Sequence, residues 1–321
     1  MNITYRLSTP ADEAALIRFW SEESGWDQLD AATWNHRLGK AVIALGLDSE
    51  TGEIVSQFAF FRVLICINGR EVAALRPFAA IISKRARSFH SPNPLNHPIP
   101  AMYRLAVNAM RERGYGLVYM IPDPRWARLF RIFPRIYTGS FPLWSLPLPL
   151  AQPLPLPAGF VVTELTTLDE RIDPLWQQMA QRPGCLTVRD SRTLPWKTSH
   201  GSYRFLGVEQ HGEFVGLATS MHRPQDKQWM ICDLLTTGSE TVLQATLTAV
   251  INLAHEQALI ACVEAPLNKV AVLMTPHLEP ALKALGFAQD NYKFSLVVDV
   301  LDKSIAKEDI LPAQWYVSAN D

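Results

Sequence analysis

Leu146-Pro-Leu-Pro-Leu-Ala-Gln-Pro-Leu-Pro-Leu-Pro157 divides the chain and decides how the rest is read. Prolines at 147, 149, 153, 155 and 157 fix φ and remove amide donors. That excludes helix and central strand and favours an extended or polyproline path. The leucines between them are unusual for a solvated linker, which is normally polar. The stretch reads as a stiff connector, 146–158, lying in a groove between an N-terminal domain (1–145) and a C-terminal domain (159–321).

Outward from this connector the two halves read alike. In the first, Ser8-Thr-Pro-Ala-Asp-Glu opens a helix, with a hydroxyl cap, Pro in the first turn and acids at the positive helix end. Strand-like runs follow at 41–47, 54–61, 63–67, 71–75 and 77–82, with Asn68-Gly69 as a hairpin turn. A helix over 100–113 stops at Gly114, a strand covers 116–121, and a short helix ends near Phe133. In the second half, helix 173–181 and Trp196 precede strands at 203–209, 214–221 and 228–235. A helix of period 3.6 spans 241–257, with Leu243, Leu247, Val250, Ile251 and Ala254 on one face. A strand at 259–264, a helix at 280–285 and a strand at 293–300 complete the unit. Gly52-Glu-Ile-Val overlays Gly212-Glu-Phe-Val, Trp34 overlays Trp196, and Pro122 overlays Pro266. Met110-Arg-Glu-Arg-Gly overlays Ala254-His-Glu-Gln-Ala. These short matches predict an internal duplication, in which the second half lacks the Asn-Gly hairpin and the 83–100 loop.

Composition narrows the function classes. The chain has 321 residues, 48% of them hydrophobic and 19% charged, which is ample for a core. Thirty Lys plus Arg against 31 Asp plus Glu leave a net charge of −1, so neither a nucleic-acid binder nor an acidic tail is indicated. Cys66, Cys185, Cys232 and Cys262 form no CxxC pair and no metal-ligand spacing, and read as reduced thiols of a cytoplasmic protein. No signal-peptide pattern opens the chain and no apolar run is long enough to span a membrane. Nucleophile elbows, P-loops, dinucleotide fingerprints and HExxH motifs are absent.

Leu278-Glu-Pro-Ala-Leu-Lys-Ala-Leu-Gly-Phe287 is similar to the helix ending in Leu-Gly-Phe of the GNAT acyltransferases. Met110-Arg-Glu-Arg-Gly114, a strand and Pro122-Asp-Pro124 resemble a subset of that family whose fifth strand ends in Pro-Asn. In that subset an Arg-Asp pair, a Trp with a basic neighbour and a Tyr-led strand open the second domain. Here these are Arg189-Asp190, Trp196-Lys197 and Tyr203. The resemblance implies an α/β (α+β, mixed-sheet) protein of two tandem, bacterial GNAT-like acyl-CoA N-acyltransferase domains. It also implies acetyl-CoA or another acyl-CoA as co-substrate, no metal, and a small amine such as an amino sugar as acceptor. Independently of the resemblance, the near-zero net charge and the lack of a long apolar run predict no nucleic-acid or membrane partner.

The departures from that pattern bear on activity. The family's pyrophosphate turn, Arg/Gln-x-x-Gly-x-Gly/Ala, lies between the fourth strand and the next helix, where backbone amides must approach phosphate closely. In the first half this place is the loop 83–100, without glycine and rich in proline. Its short positive cluster, Lys84, Arg85, Arg87 and His90, is either a phosphate or CoA site held by charge or a solvated loop face. In the second half it is Thr236-Thr-Gly-Ser-Glu-Thr241, with one glycine and no basic residue, which predicts still weaker anion binding. The family's tyrosine acid is replaced at the matching positions by Phe130 and Leu282. Asp233, in an apolar strand, is a candidate base if burial raises its pKa, or else a strand-end Asp bound to backbone. Tyr137 is a candidate donor or a packed ring, and Glu264 a weaker strand-end candidate. His90 and His97 match no common metal site, and Trp34 and Trp196 read as core plugs where helix meets sheet. Three functions follow: an acyl-CoA-dependent N-acyltransferase, a catalytically inactive binding protein of the same fold that has lost the CoA turn, and an aminoacyl-tRNA-dependent transferase. The neutral charge weighs against the third.

Overall fold

The computed structural model describes residues 2–25, 30–87, 94–122, 130, 136–182, 184–260 and 266–321. They form two compact units that are not contiguous in sequence. Unit 1 comprises Met1–Ile65, Val72–Thr138 and Leu296–Ala306, and unit 2 the remaining segments, Cys66–Glu71, Gly139–Ser295 and Lys307–Asp321.

In unit 1 the chain begins with β1 (Ile3–Leu7), a short strand that its sequence signals poorly. Helix α1 (Glu13–Glu23) follows a 3-10 turn held by a capping box between Thr9 and Asp12, and α2 (Ala31–Leu38) is capped by Asp30. Strands β2 (Val42–Asp48), β3 (Ile54–Ile67) and β4 (Arg70–Ile82) form an antiparallel meander. The expected Asn-Gly turn joins β3 to β4, with positive φ at Asn68 and Gly69. β3 and β4 are each one long strand, so the runs 54–61 and 63–67, and 71–75 and 77–82, are not separate. Neighbours on β3 face opposite ways. Phe58 and Phe60 meet Tyr103 of helix α3 (Pro98–Arg111), while Phe61 meets Phe78, which stacks on Trp20. Strand β5 (Leu117–Met120) runs parallel to β4, but only Ala74 and Leu75 pair with it. On its other side β5 receives Val297–Val300 from near the chain's far end, antiparallel.

Unit 2 takes β6 (Ile136–Pro147) from Gly139 onward, then β7 (Phe160–Leu165) and α4 (Ile172–Ala180). Next come β8 (Cys185–Thr187), α5 (Thr193–Thr198), β9 (Tyr203–Gln210), β10 (Glu213–Arg223) and β11 (Gln228–Thr236). The 21-residue helix α6 (Glu240–Ile260) packs on β9, β10 and β11. Gly216 lets it approach, since a Cβ there would strike the Thr246 hydroxyl. Strand β12 (Lys269–Leu273), helix α7 (Glu279–Ala284), β13 (Ala288–Val300) and β14 (Trp315–Tyr316) finish the chain. The sheet runs β6-β12-β11-β10-β9-β7, antiparallel except for the parallel pair β11–β12.

Three expectations are corrected. Leu146 and Pro147 belong to β6, between β12 and β13, where Pro147 takes the last position of the ladder, opposite Lys269. A strand end tolerates the missing donor. The rest of the connector is bound along α6 within unit 2. Leu154 N–H donates to Asn252 Oδ1 (2.8 Å), Asn252 Nδ2 returns a bond to the Leu154 carbonyl (2.9 Å), and Leu150 N–H donates to His255 Nδ1 (3.1 Å). This is why its leucines are apolar: Leu148, Leu150, Leu154 and Leu156 pack into the unit 2 core. Second, Leu259 and Ile260 end α6 rather than opening a strand. The remainder of that expected strand, 261–264, lies outside the described residues, and the next described strand is β12, beyond Pro266. Third, Trp34 is a core residue, in edge contact with Trp20, but Trp196 is only half-buried on α5.

Candidate functional site

In unit 2 the parallel ladder of β11 and β12 spans only Gln228–Ile231 against Lys269–Val272. β11 continues five residues further, and α6 begins shortly after it. At this junction lies a cavity of about 310 Å³, lined by Arg182, Thr236, Gly238, Glu240, His277 and Tyr316, with apolar walls from Met179, Leu243 and Ala281. Arg182 arrives from just beyond α4 and donates Nη2 to the Thr236 carbonyl, the last of β11, at 2.7 Å. Gly238 has φ +96°, and a Cβ on it would lie 2.7 Å from Arg182 Nη2, so glycine serves both the turn and the guanidinium. The first-turn residues of α6, Glu240, Thr241 and Val242, all carry amide N–H groups, the donors that hold anions at helix starts. Glu240 suits the helix's positive end but competes with an outside anion. The His277 ring packs 4.8 Å from Tyr316. Desolvation, with Arg182 and Arg189 close by, pushes its imidazole down to about 4.

Beneath this cavity sits a buried charge cluster. Arg189, fully buried, donates Nε to Asp233 Oδ1 (2.7 Å), Nη1 to the Thr187 carbonyl (2.6 Å) and Nη2 to Asp321 Oδ2 (2.5 Å). Lys197 Nζ donates to Asp321 Oδ1 (2.6 Å) and to Thr187 Oγ1 (2.8 Å), and Thr187 Oγ1 also donates to Asp321. Two cations thus face two carboxylates, as burial of charge requires. Asp321, between both cations, is held well below the usual carboxylate range, whereas burial raises Asp233. Ser318 Oγ donates to Asp233 Oδ2 (3.3 Å), and the Tyr316 hydroxyl lies 3.4 Å from Asp233 Oδ1, so both carboxylate oxygens are engaged.

The sequence-predicted residues divide between the units. Asp233 belongs to unit 2. Tyr137, half-buried at the start of β6, belongs to unit 1, as do Lys84, Arg85 and Arg87. Arg85 pairs with Glu53 (2.8 Å) and reaches toward Asp48 (3.9 Å), at the rim of a polar cavity of about 670 Å³ that Arg6, Arg18, Glu22 and Glu23 also line. Arg87 Nε donates to the Ile82 carbonyl (3.1 Å), and the Lys84 amide to Glu23 (3.0 Å). His90, Cys262 and Glu264 lie outside the described residues. His97 caps α3, its Nδ1 accepting from Ile99 N (3.4 Å). Phe130 and Leu282 are buried core residues. Among the described residues no group of His, Cys, Asp and Glu could hold a metal ion, and no helix is long and apolar enough to cross a membrane. The residue that sequence reasoning missed is Arg182: it is far from the 236–241 turn in sequence, and only the packing of α4 against β11 brings it there.

Over 94% of its length the chain superposes on a GCN5-related N-acetyltransferase from Anabaena variabilis, with a TM-score of 0.69, 13% identity and 73% of that protein covered. The fold is that of the GCN5-related N-acetyltransferases. A conserved protein from Enterococcus faecalis, described as a probable N-acyltransferase, matches 94% of the chain (TM-score 0.67, 10% identity, 73% of that protein). A further GCN5-related N-acetyltransferase, from Kribbella flavida, matches 92% (TM-score 0.62, 14% identity, 71% of that protein). At these identities the likeness is one of fold. No family model and no curated protein matches the chain. The two long helices, α3 and α6, differ in what their first turns offer.

Proposed function

We propose that the protein is an acyl-CoA-dependent N-acyltransferase acting on a small amine, with an amino sugar as the acceptor class that the sequence resemblance suggests. The amine nitrogen forms the new C–N bond, the thioester C–S bond breaks, and CoA leaves as the thiol with the proton lost by the amine. Asp233, raised by burial, is the group in unit 2 suited to take that proton. Tyr137 and the 84–87 cluster would serve a site in unit 1. The observation that carries the reading is the cavity at the start of α6, where Arg182 brings a cation to a glycine turn with amide donors, a combination suited to a diphosphate.

A second reading, an acyl-CoA-binding protein without catalysis, is favoured by the engagement of both Asp233 oxygens by the chain's own groups. Thermal unfolding with millimolar acetyl-CoA tests the first reading. A ligand at 100 times its Kd adds about 2.7 kcal/mol of stability. The expected rise in midpoint disappears in Arg182→Ala and survives in the Arg85→Ala, Arg87→Ala double variant. The reverse pattern moves the site to unit 1, and no rise with any acyl-CoA overturns the proposal. A rise without thiol release for any amine in a panel that includes amino sugars selects the binding protein.

A further inference from the structure

Beyond Ile231 and Val272, where β11 and β12 cease to pair, the chain's own residues fill the space between them. Tyr316, Val317 and Ser318 line this slot with Ile231–Leu234 of β11 and Val272–Leu273 of β12, leaving about 10 Å³, room for no more than one water. The Tyr316 hydroxyl donates to the Leu234 carbonyl (2.7 Å) and accepts from the Leu234 N–H (3.0 Å). These are the two backbone groups that β11 presents to a slot no strand occupies. A side chain here does what an added strand or an amide-bearing ligand would do. The same tyrosine lines the 310 Å³ cavity, so its ring stands between that cavity and the slot.

The segment is gripped along its length. Arg189 and Lys197 hold Asp321, Ser318 bonds Asp233, and Tyr203 OH donates to Asn320 Oδ1 (3.0 Å). Arg189, Lys197 and Tyr203 are the residues whose pattern opened the second domain in the sequence resemblance, and all three converge on 316–321.

We propose that residues 316–321 are an internal ligand of unit 2: they occupy the slot that the acyl-pantetheine arm of an acyl-CoA would enter, and Arg189, Lys197 and Tyr203 latch them in place. The inference rests on the acyl-CoA reading above. The arm is an extended chain carrying amides, able to pair with Leu234 only once Tyr316 leaves. Its entry would also strip Ser318 from Asp233 Oδ2 and open that oxygen, while Oδ1 stays with Arg189. With the segment in place, the cavity takes the nucleotide end alone.

The test compares binding of CoA and of 3′-phosphoadenosine 5′-diphosphate, a nucleotide that keeps the diphosphate and lacks only the arm, to the full chain and to Tyr316→Phe. In the wild type the two bind alike. Tyr316→Phe takes the donor from the Leu234 carbonyl in the closed slot, whose N–H keeps Asp233 Oδ1 (3.0 Å), so CoA tightens by roughly tenfold relative to the nucleotide. Ser318→Ala, a gentler change, moves CoA in the same direction. Peptide-resolved thiol labelling without ligand reports the latch, because the Cys232 thiol is fully buried, belongs to a small apolar cluster that Ala319 packs against and is pushed up to about 12 by burial. Its labelling accelerates in both variants while that of Cys66 does not. CoA binding the wild type more than tenfold tighter than the nucleotide, with Cys232 labelling unchanged in the variants, overturns the internal ligand and leaves the cavity standing. Binding of neither compound to any of the three proteins takes down the acyl-CoA reading and the internal ligand with it.

Discussion

The two units begin their long helices in opposite ways. α3 opens as Pro98-Ile99-Pro100, so two of its first three residues have no N–H, and the third, Ile99, donates to His97. An anion arriving there finds the helix's positive end without the donors that make it useful. α6 opens after Gly238 with a full set of amides and a guanidinium delivered from α4. The positive cluster visible in the sequence is in unit 1, but its central member, Arg85, is matched by Glu53 and Asp48. A run of basic residues marks charge; a site also needs directed donors and a cavity, and a tertiary contact can supply the cation that a local motif lacks.

The largest effect that would break this comparison is at Arg189. Replacing it by Met removes the cation shared by Asp233 and Asp321 and leaves two buried carboxylates with only Lys197 nearby. A loss of about 3–5 kcal/mol is expected. Hydrogen exchange should localise it, with β8, β11 and β14 losing protection while β2–β5 keep theirs. Arg85→Ala is the matched control in unit 1: its ion pair with Glu53 is exposed, and its removal should change stability by no more than about 1 kcal/mol. A uniform loss of protection across both units, or a loss under 1 kcal/mol for Arg189→Met, contradicts the assignment of the cluster to unit 2's integrity.

What the sequence discloses follows how local each signal is. The Asn68-Gly69 turn, the 3.6 period of α6 and the packed leucines among prolines are written in neighbouring residues and are found as expected. β1 and β7 are five and six residues long, with exposed positions throughout, so their pairing with β2 and β9 rather than their composition makes them strands. Leu259-Ile260 reads as strand because an apolar pair with a β-branched member opens an apolar run there, yet both lie exposed at the last turn of α6. The site is less legible. Asp233 is singled out by its apolar strand, but its partners, Arg189, Tyr316 and Ser318, come from segments 44, 83 and 85 residues away in the chain. Arg182 carries no mark in the sequence at all.

A smaller effect sharpens the comparison at Gly238. Its φ of +96° is costly for a residue with a Cβ, and that Cβ would meet Arg182. Gly238→Ala should cost about 1–2 kcal/mol and also weaken nucleotide binding as the guanidinium moves. In unit 1, Gly114, with φ +81° and open space around its Cβ, separates the two contributions. Gly114→Ala should lower stability comparably and leave nucleotide affinity untouched. Equal losses of affinity in both variants would remove Arg182 from the site.

The smallest effect is that of pH on His277. Its imidazole, ordinarily near 6.5, lies at about 4 in the folded protein because of desolvation and the cations Arg182 and Arg189. Between these values the unfolded chain binds more protons, so stability rises with pH across that window and is fully present above 6.5. The ring's exposed edge is screened by solvent, which limits the change between pH 7 and pH 5 to about 1 kcal/mol. His277→Gln should flatten that part of the urea-midpoint profile. Binding inverts the sign, because an anion in the cavity favours the imidazolium. Adenosine 3′,5′-bisphosphate should therefore bind the wild type more tightly at pH 5 than at pH 7, and the dependence should shrink in His277→Gln. His97, lowered by burial in unit 1, also titrates, but it spends its Nδ1 lone pair on Ile99. His97→Gln should leave the pH dependence of binding intact. If it removes that dependence instead, the anion sits at the start of α3, and the comparison between the two helices is reversed.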